Sequence, residues 1–423
     1  MNKKYRRCCG IDVHKKLLVA CFMQKGGKKE TREFGATTSE ILKLADWLTA
    51  GQCQMVSMES TGSYWKPVYN LFEARGLNCM VVNASHMKNV PGRKTDQADA
   101  DWLCELTQYG LLTPSYIPDR QQRELRELVG YRTSVVANRS QELNRIQKVL
   151  EGGNIKLSGT IKDISGKSGM VLLNGLADGR TFTLDELQEM RKEHVLAPNL
   201  KASDEQLVED LNGILTTNQR ALLKEMLSHV SELDAHVVSL DAQINSLITE
   251  EQQLKADRIA EIPGIGPKSA QAIISVIGTD MSRFPNDSCI SKWAGLCPGN
   301  NESAGKRKSG KTSKGNKLLR TTLVNCAQAA AKNKESYFSA QFARISAHRG
   351  KKRAIVAVAH SLLIAIYHVL KDDVSFVDLG SNYYDRFNRE KKAKAYIKKL
   401  AQLGVKVVVQ ETSTATHSDD KVA

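Results

Sequence analysis

Residues 6–16 read RRCCGIDVHKK, and this stretch decides how the first part of the chain is understood. Arg7 to Val13 is a short apolar run that reads as a strand, with Asp12 at its end. Working outward, Leu17 to Met23 and Thr31 to Phe34 follow as hairpin strands, and Ser39 to Leu48 has helical spacing. Gln54 to Met58 is strand-like and ends in Glu59. Tyr64 to Arg75 is helical, Asn78 to Val82 is another strand, and Thr95 to Tyr109 is helical. Strands alternating with helices predict an α/β domain over residues 1–118, a mixed sheet with helices packed on it.

Beyond it the pattern changes. Leu125, Leu128, Arg132, Val135, Arg139, Leu143, Ile146 and Leu150 recur at three- and four-residue steps. Over residues 222–254, Met226, Val230, Leu233, Val237, Leu240, Ile244 and Leu247 alternate four and three apart, as an a/d heptad seam does. Residues 119–256 therefore read as an antiparallel coiled-coil arm or a dimerisation arm, with an insert at about 151–218 near its tip; an ordinary pair of amphipathic bundle helices gives the same pattern. Residues 257–400 read as a mostly helical domain. Residues 401–423 read as a C-terminal tail that is polar and aperiodic towards its end, the composition of a disordered segment.

The 423 residues hold 61 Lys plus Arg against 46 Asp plus Glu, a formal net charge of +15. That balance predicts a polyanionic partner. Nine cysteines, odd in number and without a CxxC, fit reduced thiols in a cytoplasmic compartment. The basic N-terminus lacks the apolar run of a signal peptide. The longest apolar stretch, Ala354 to Leu370, is interrupted by His360, Ser361 and His368, so no membrane span is expected.

Three features carry chemistry. The first is acidic. Asp12 and Glu59 end separate strands, and Asp96 and Asp99 lie three apart in KTDQADADWL (94–103), on one face of a helix. Carboxylates converging at one end of a sheet suit hard cations, Mg²⁺ or Mn²⁺, and Lys94 is placed to contact phosphate. Singly, each acid is equally a turn, cap or solvated residue, Asp101 included; the order of the set is what points to a site. His14 faces the site or serves a structural role.

The second feature is Ile262-Pro-Gly-Ile-Gly-Pro-Lys268, similar to a helix-hairpin-helix. Gly264 and Gly266 allow a tight turn, and the amides of the next helix, with Lys268, offer a phosphate site. The same pattern also makes a plain helix connection. The third is WAGLCPGNNESAGKRKSGKTSKGNKL (293–318). Lys306, Arg307, Lys308, Lys311, Lys314, Lys317 and Arg320 follow one another with no acid among them, in what reads as a flexible cationic loop. A serine in such a field can attack a phosphodiester. Ser303 opens the run, while Ser309 and Ser313 share its environment.

GIDVHK, MESTGSYW, KTDQADA, IPGIGPKSA, WAGLCPGNNESAGKRKSG and SKGNKLLR, in this order, resemble the DEDD-plus-serine transposases of bacterial insertion sequences. That group is the insertion sequence one-hundred-and-ten family, which includes pilin-gene invertases and the bridge-RNA-guided recombinases. The resemblance covers about residues 5–400. It implies a RuvC-like (RNase H-like) domain, a coiled-coil arm and a helical transposase domain. It implies that Asp12, Glu59, Asp96 and Asp99 form a metal-binding catalytic tetrad and that Ser303 is the nucleophile. It also implies a noncoding bridge RNA pairing with donor and target double-stranded DNA, and a dimer or tetramer with a composite site. Residues 151–218 depart from it as an insert of the longer subgroup. Three other readings share parts of the pattern: a site-specific invertase, a RuvC-like nuclease or Holliday-junction resolvase using water, and a silent nucleic-acid scaffold.

Overall fold

The computed structural model describes residues 3–60, 62–83, 99–197, 200–299, 301–303, 306–309, 311–386 and 389–405. The chain divides into two compact units, Met1–Asp119 and Arg120–Ala423.

The first unit is built on five strands: β1 (Cys8–Val13), β2 (Leu17–Met23), β3 (Lys29–Gly35), β4 (Met55–Glu59) and β5 (Cys79–Val82). Their order is β3-β2-β1-β4-β5. The first three form an antiparallel meander, while β4 lies parallel to β1 and β5 parallel to β4. Helix α1 (Thr38–Ala50) makes the crossover to β4, and α2 (Trp65–Ala74) the crossover to β5. Ile11, Leu18, Met58 and Val81 pack with Leu44, Leu48, Val68 and Phe72 in one core.

Helix α3 (Asp99–Tyr109) lies on the sheet because Gly10 has no side chain. A Cβ at Gly10 would stand 2.4 Å from both the Ala100 carbonyl oxygen and the Cys104 amide nitrogen. The Cys104 thiol donates to the Cys8 carbonyl at 3.3 Å, and the Lys4 amide donates to the Gln108 carbonyl at 2.8 Å. Ala100 and Cys104 thus meet Gly10 and Cys8 of β1, and Gln108 meets Lys4, which precedes the strand. The helix runs antiparallel to the strand, with its first residues directed toward the strand's C-terminal end.

The second unit is helical. Helix α4 (Arg120–Gly152) leads through α5 (Leu157–Thr160), α6 (Lys167–Ala177), α7 (Leu184–Lys192) and α8 (Asp204–Leu211) to α9 (Thr217–Leu247). Arg132 holds both carboxylate oxygens of Asp241 at 2.7 and 3.1 Å, and Arg139 those of Asp234 at 2.5 and 3.1 Å. As numbering rises on α4 it falls on α9, so the two helices are antiparallel. Val135, Leu233 and Leu240 lie between them. Residues of the insert form their own core with the far ends of the two helices, Leu157, Leu173, Leu187 and Leu207 among Ile146, Leu150 and Leu227.

The helix expected over 222–254 is in fact two. Chain direction changes at Ile248, and Thr249 opens α10 (Glu250–Ala260) with a reciprocal capping box to Gln252. A Thr three residues before Gln marked that start in the sequence. The apolar repeat itself ends at Leu247, one residue before the break.

Next come α11 (Pro267–Ile277), α12 (Asp287–Trp293), the short strands β6 (Asn301–Ser303) and β7 (Lys306–Ser309), α13 (Lys317–Ala330), α14 (Tyr337–Arg349) and α15 (Lys351–Lys371), followed by α16 (Tyr383–Arg386) and α17 (Arg389–Gln402). Helix α15 is long and apolar enough to cross a membrane by length and composition. Its Val358, Leu362, Leu363 and Ile366 nonetheless lie fully buried in the core with Ile274, Ile290 and Leu323. All nine cysteines are free.

Two expectations follow. Gly10→Ala is expected to cost about 2–3 kcal/mol by forcing α3 off the sheet, read as a lowered urea midpoint of the first unit. The second concerns Asp241: burial opposes its ionisation, yet hydrogen bonds from Arg132 and Lys268 outweigh it and hold the carboxyl below its usual range. A depressed carboxyl contributes stability that is full above the ordinary value of about 3.9 and is lost as pH falls through the folded value. Asp241→Asn is therefore expected to lower neutral-pH stability by about 1 kcal/mol and to flatten the acid limb. Denaturant midpoints at about pH 7 and about pH 3 check it.

Candidate active site

Parallel pairing of β1 with β4 aligns Ile11 with Met58, so Asp12 and Glu59, each the next residue, sit at the same level on adjacent strands. This is the C-terminal end of both strands, where open α/β sheets present their chemistry. Asp12 is 25% exposed and bonds to His14 Nε2 through Oδ2 at 2.9 Å. His14 therefore contacts this site. Asp99 is the first residue of α3 and is exposed. The direction of α3 carries it toward the same sheet end. Asp101, two residues on, serves structure: its carboxylate pairs with Lys29 at 2.6 Å and accepts from the Cys21 thiol.

The structure thus brings together the level of Asp12 and Glu59, with the start of α3 at that end. Asp96 and Lys94 lie outside the described residues. Among the described residues no group of three or more His, Cys, Asp or Glu is gathered closely enough to hold a metal ion. The donor set itself, all carboxylate oxygens, is of the kind Mg²⁺ or Mn²⁺ takes.

Sequence reasoning passed over Gly10, which decides where α3 begins relative to Asp12. The signal was present: a lone glycine inside a strand marks a close approach of another backbone.

In the second unit, Gly264 adopts φ +89° and a Cβ there would meet the Ala330 amide nitrogen and Cys326 carbonyl oxygen at 2.5 Å. The turn is therefore packed against the backbone of α13. Gly266 is the N-cap of α11 and makes no side-chain cap, and a Cβ there would meet open space. Pro267 starts the helix, leaving its first-turn amides without a side-chain acceptor. Lys268 is not simply a free cation at this turn: its ammonium pairs with Asp241 at 2.8 Å, and its side chain stays half exposed.

The segment expected as a flexible loop contains order. Strands β6 and β7 pair antiparallel, with Ser303 opposite Lys306, Glu302 opposite Arg307 and Asn301 opposite Ser309. Pro298 bridges Thr312, and the Gly299 amide donates to the Lys311 carbonyl at 2.8 Å. At the root, Gly295 and Gly315 touch backbone to backbone. A Cβ on Gly315 would stand 2.2 Å from the Gly295 nitrogen, and Gly295 itself has φ +72°. Asn316 then caps α13 through the Leu319 amide, placing Lys317 and Arg320 in that helix's first turn. The pairing of β6 with β7 makes the ribbon, which a count of lysines and glycines did not reveal.

The three serines consequently differ. Ser313 donates to the Lys292 carbonyl at 3.5 Å, at the root. Ser309 pairs at the base of the ribbon with Asn301. Ser303 ends β6, opposite Lys306 at the start of β7.

Two family models match this chain. One for DEDD transposases, described as Transposase, matches residues 9–155, and one described as Transposase IS116/IS110/IS902 family matches residues 256–343. A protein of Sinorhizobium fredii (strain NGR234) named "Putative transposase y4qE" is 25% identical over 327 residues, 75% of this chain and 70% of that protein.

Replacing Gly264 by alanine is expected to destabilise the second unit by more than about 2 kcal/mol. The same change at Gly266 should cost at most about 1 kcal/mol. Comparing the two melting curves tests whether the turn is held by its contact with α13.

Proposed function

This chain belongs to the IS110 family of transposases, and we propose that it cuts and rejoins DNA through Ser303, assisted by a metal-bound acidic tetrad. As a transposase it acts on DNA, and its net charge of +15 suits that substrate. The observation that carries the finer reading is the placement of Asp12 and Glu59 at one level on adjacent parallel strands, with α3 starting toward the same end. Asp12, Glu59, Asp96 and Asp99 would hold Mg²⁺ or Mn²⁺, which when bound polarises a phosphoryl oxygen.

Ser303 is the hydroxyl this reading makes the nucleophile. It lies in a cationic hairpin rooted on the helical core by the Gly295–Gly315 contact. Its Oγ forms the bond to phosphorus, the strand's sugar oxygen leaves with a proton, and a phosphoserine ester remains. Attack by a sugar hydroxyl of the exchanged strand reverses that step, releases the serine and conserves the phosphodiester. The cations that follow the serine in sequence, Arg307 among them, would neutralise charge building on the phosphoryl oxygens. The amides opening α11 offer a sequence-independent phosphate contact.

The carboxylates and the serine belong to different compact units, an arrangement that suits a composite site shared by protomers of a dimer or tetramer. Guidance by the element's own bridge RNA completes the reading; it rests on the family resemblance of the motif set, and the cationic surface is compatible with it. Moving the element and inverting a segment use the same chemistry.

The test is a denaturing gel for protein-linked DNA, using protein with the RNA it carries, labelled donor and target DNA, and Mg²⁺. Wild type is expected to give an adduct, and Ser303→Ala and Asp12→Asn to lose it by about 10³-fold or more. Cleaved ends without an adduct, persisting in Ser303→Ala, would instead identify water as the nucleophile and the protein as a RuvC-like nuclease.

A further inference from the structure

A groove of about 480 Å³ opens between α13 and α15. Its floor is aliphatic, formed by Val324, Ile355 and Val356, all only half buried. Arg320, Lys351 and Lys352 stand around it, with Thr321 and Gln328 supplying hydrogen-bonding groups. The floor residues rest on the main core of the unit, so the groove has a fixed base. Arg320 follows the serine hairpin within one turn of α13.

The cations here differ from others in the same unit. Lys255 and Arg258 share Asp373, and Lys268 pairs with Asp241. Among the described residues, Arg320, Lys351 and Lys352 make no ion pair with a carboxylate, and neither do the flanking Arg349 and Arg353. Positive charge left unpaired around an aliphatic floor matches a ligand that is anionic along one edge and apolar on another. A duplex offers only its sugar-phosphate edge, because its base faces are stacked inside and leave the floor nothing to bury. An unpaired nucleotide offers both. Strand exchange opens DNA next to the hairpin, so the unpaired strand that this reading supplies is DNA.

We propose that this groove holds a single-stranded DNA segment unpaired during strand exchange, its phosphates on Arg320, Lys351 and Lys352 and a base or deoxyribose face on Val324, Ile355 and Val356. The inference rests on the recombinase reading above, since only a reaction that opens duplex DNA beside the hairpin would supply such a strand. No stacking aromatic lines the groove, so affinity comes from charge and aliphatic burial and is insensitive to sequence.

Fluorescence anisotropy tests it with the full chain carrying Ser303→Ala, so that the DNA stays intact. The probes are an oligothymidine strand, an oligouridine strand and a DNA duplex of equal length, each over a salt series. Val324→Ser with Val356→Ser is expected to weaken oligothymidine binding about tenfold, leaving the salt slope unchanged and duplex binding within about twofold. Lys351→Gln with Lys352→Gln is expected to lower the salt slope for oligothymidine by roughly 1.4, about 0.7 for each phosphate. Val324→Thr, which keeps the side-chain shape, is expected to shift binding in the same direction with an unchanged melting curve, and so separates groove from fold. Oligothymidine binding unaffected by the floor variants, or an equal loss on duplex or oligouridine, overturns the proposal. The adduct gel with the serine intact is run alongside. An adduct together with unaffected floor variants removes the groove and keeps the recombinase reading; absence of an adduct in wild type removes the reading on which the groove rests.

Discussion

Backbone packed directly on backbone, with no room for a side chain, is the constraint on which the candidate site depends. At Gly10 it seats α3 on β1, at Gly264 it seats the turn before α11 on α13, and at Gly315 it joins the two ends of the serine segment. The first two lie within a few residues of groups to which chemistry is assigned, Asp12 and Asp99 beside the first and the amides of α11 beside the second, and the third roots the hairpin that carries Ser303. A close backbone contact has few ways to relax, because peptide groups cannot change rotamer as side chains do. Groups mounted next to it inherit that rigidity, which positioned catalysis requires.

Charge is distributed with a comparable division of labour. Cations that build the fold are paired: Arg132 and Lys268 on Asp241, Arg139 on Asp234, Lys29 between Asp101 and Glu105. Arg126, largely buried and lowered to about 10 by desolvation, donates to the Val276 carbonyl at the end of α11, while Gln122 reaches the neighbouring Ile274 carbonyl. These contacts satisfy helix-end carbonyls and fix where α4 starts. Arg320, Lys351 and Lys352 around the groove of α13 and α15 make no ion pair with a carboxylate among the described residues. Net charge alone does not separate the two populations.

Much of the first unit was legible beforehand because its strands and helices announce themselves by period and by turn residues. Asp12 and Glu59 could be picked out because each falls at a strand's end, and Asp99 by its spacing of three from Asp96. The second unit was legible in its long helices and less so in their limits. The bounds 222–254 overran the stop at Ile248, although the heptad positions themselves end at Leu247, because periodicity reports a buried face and is blind to a change of axis. The serine segment was read as a loop on its glycines and lysines, yet it forms a paired ribbon whose root is set by residues twenty apart in sequence, Gly295 and Gly315.

The sequence by itself determined the types of element, their order, the excess of positive charge, and the chemical character of the acids and of the serine-bearing segment. These follow from residue identity and local spacing, which act over a few residues. Tertiary structure decided which of these meet. It aligned Asp12 with Glu59 through the parallel register of β1 and β4, turned α3 so that Asp99 begins toward that end, committed Lys268 to Asp241, and set Ser303, Ser309 and Ser313 at different heights on one hairpin. Register and close packing join residues far apart along the chain, and no local pattern encodes them, because their energy exists only once both partners are in place.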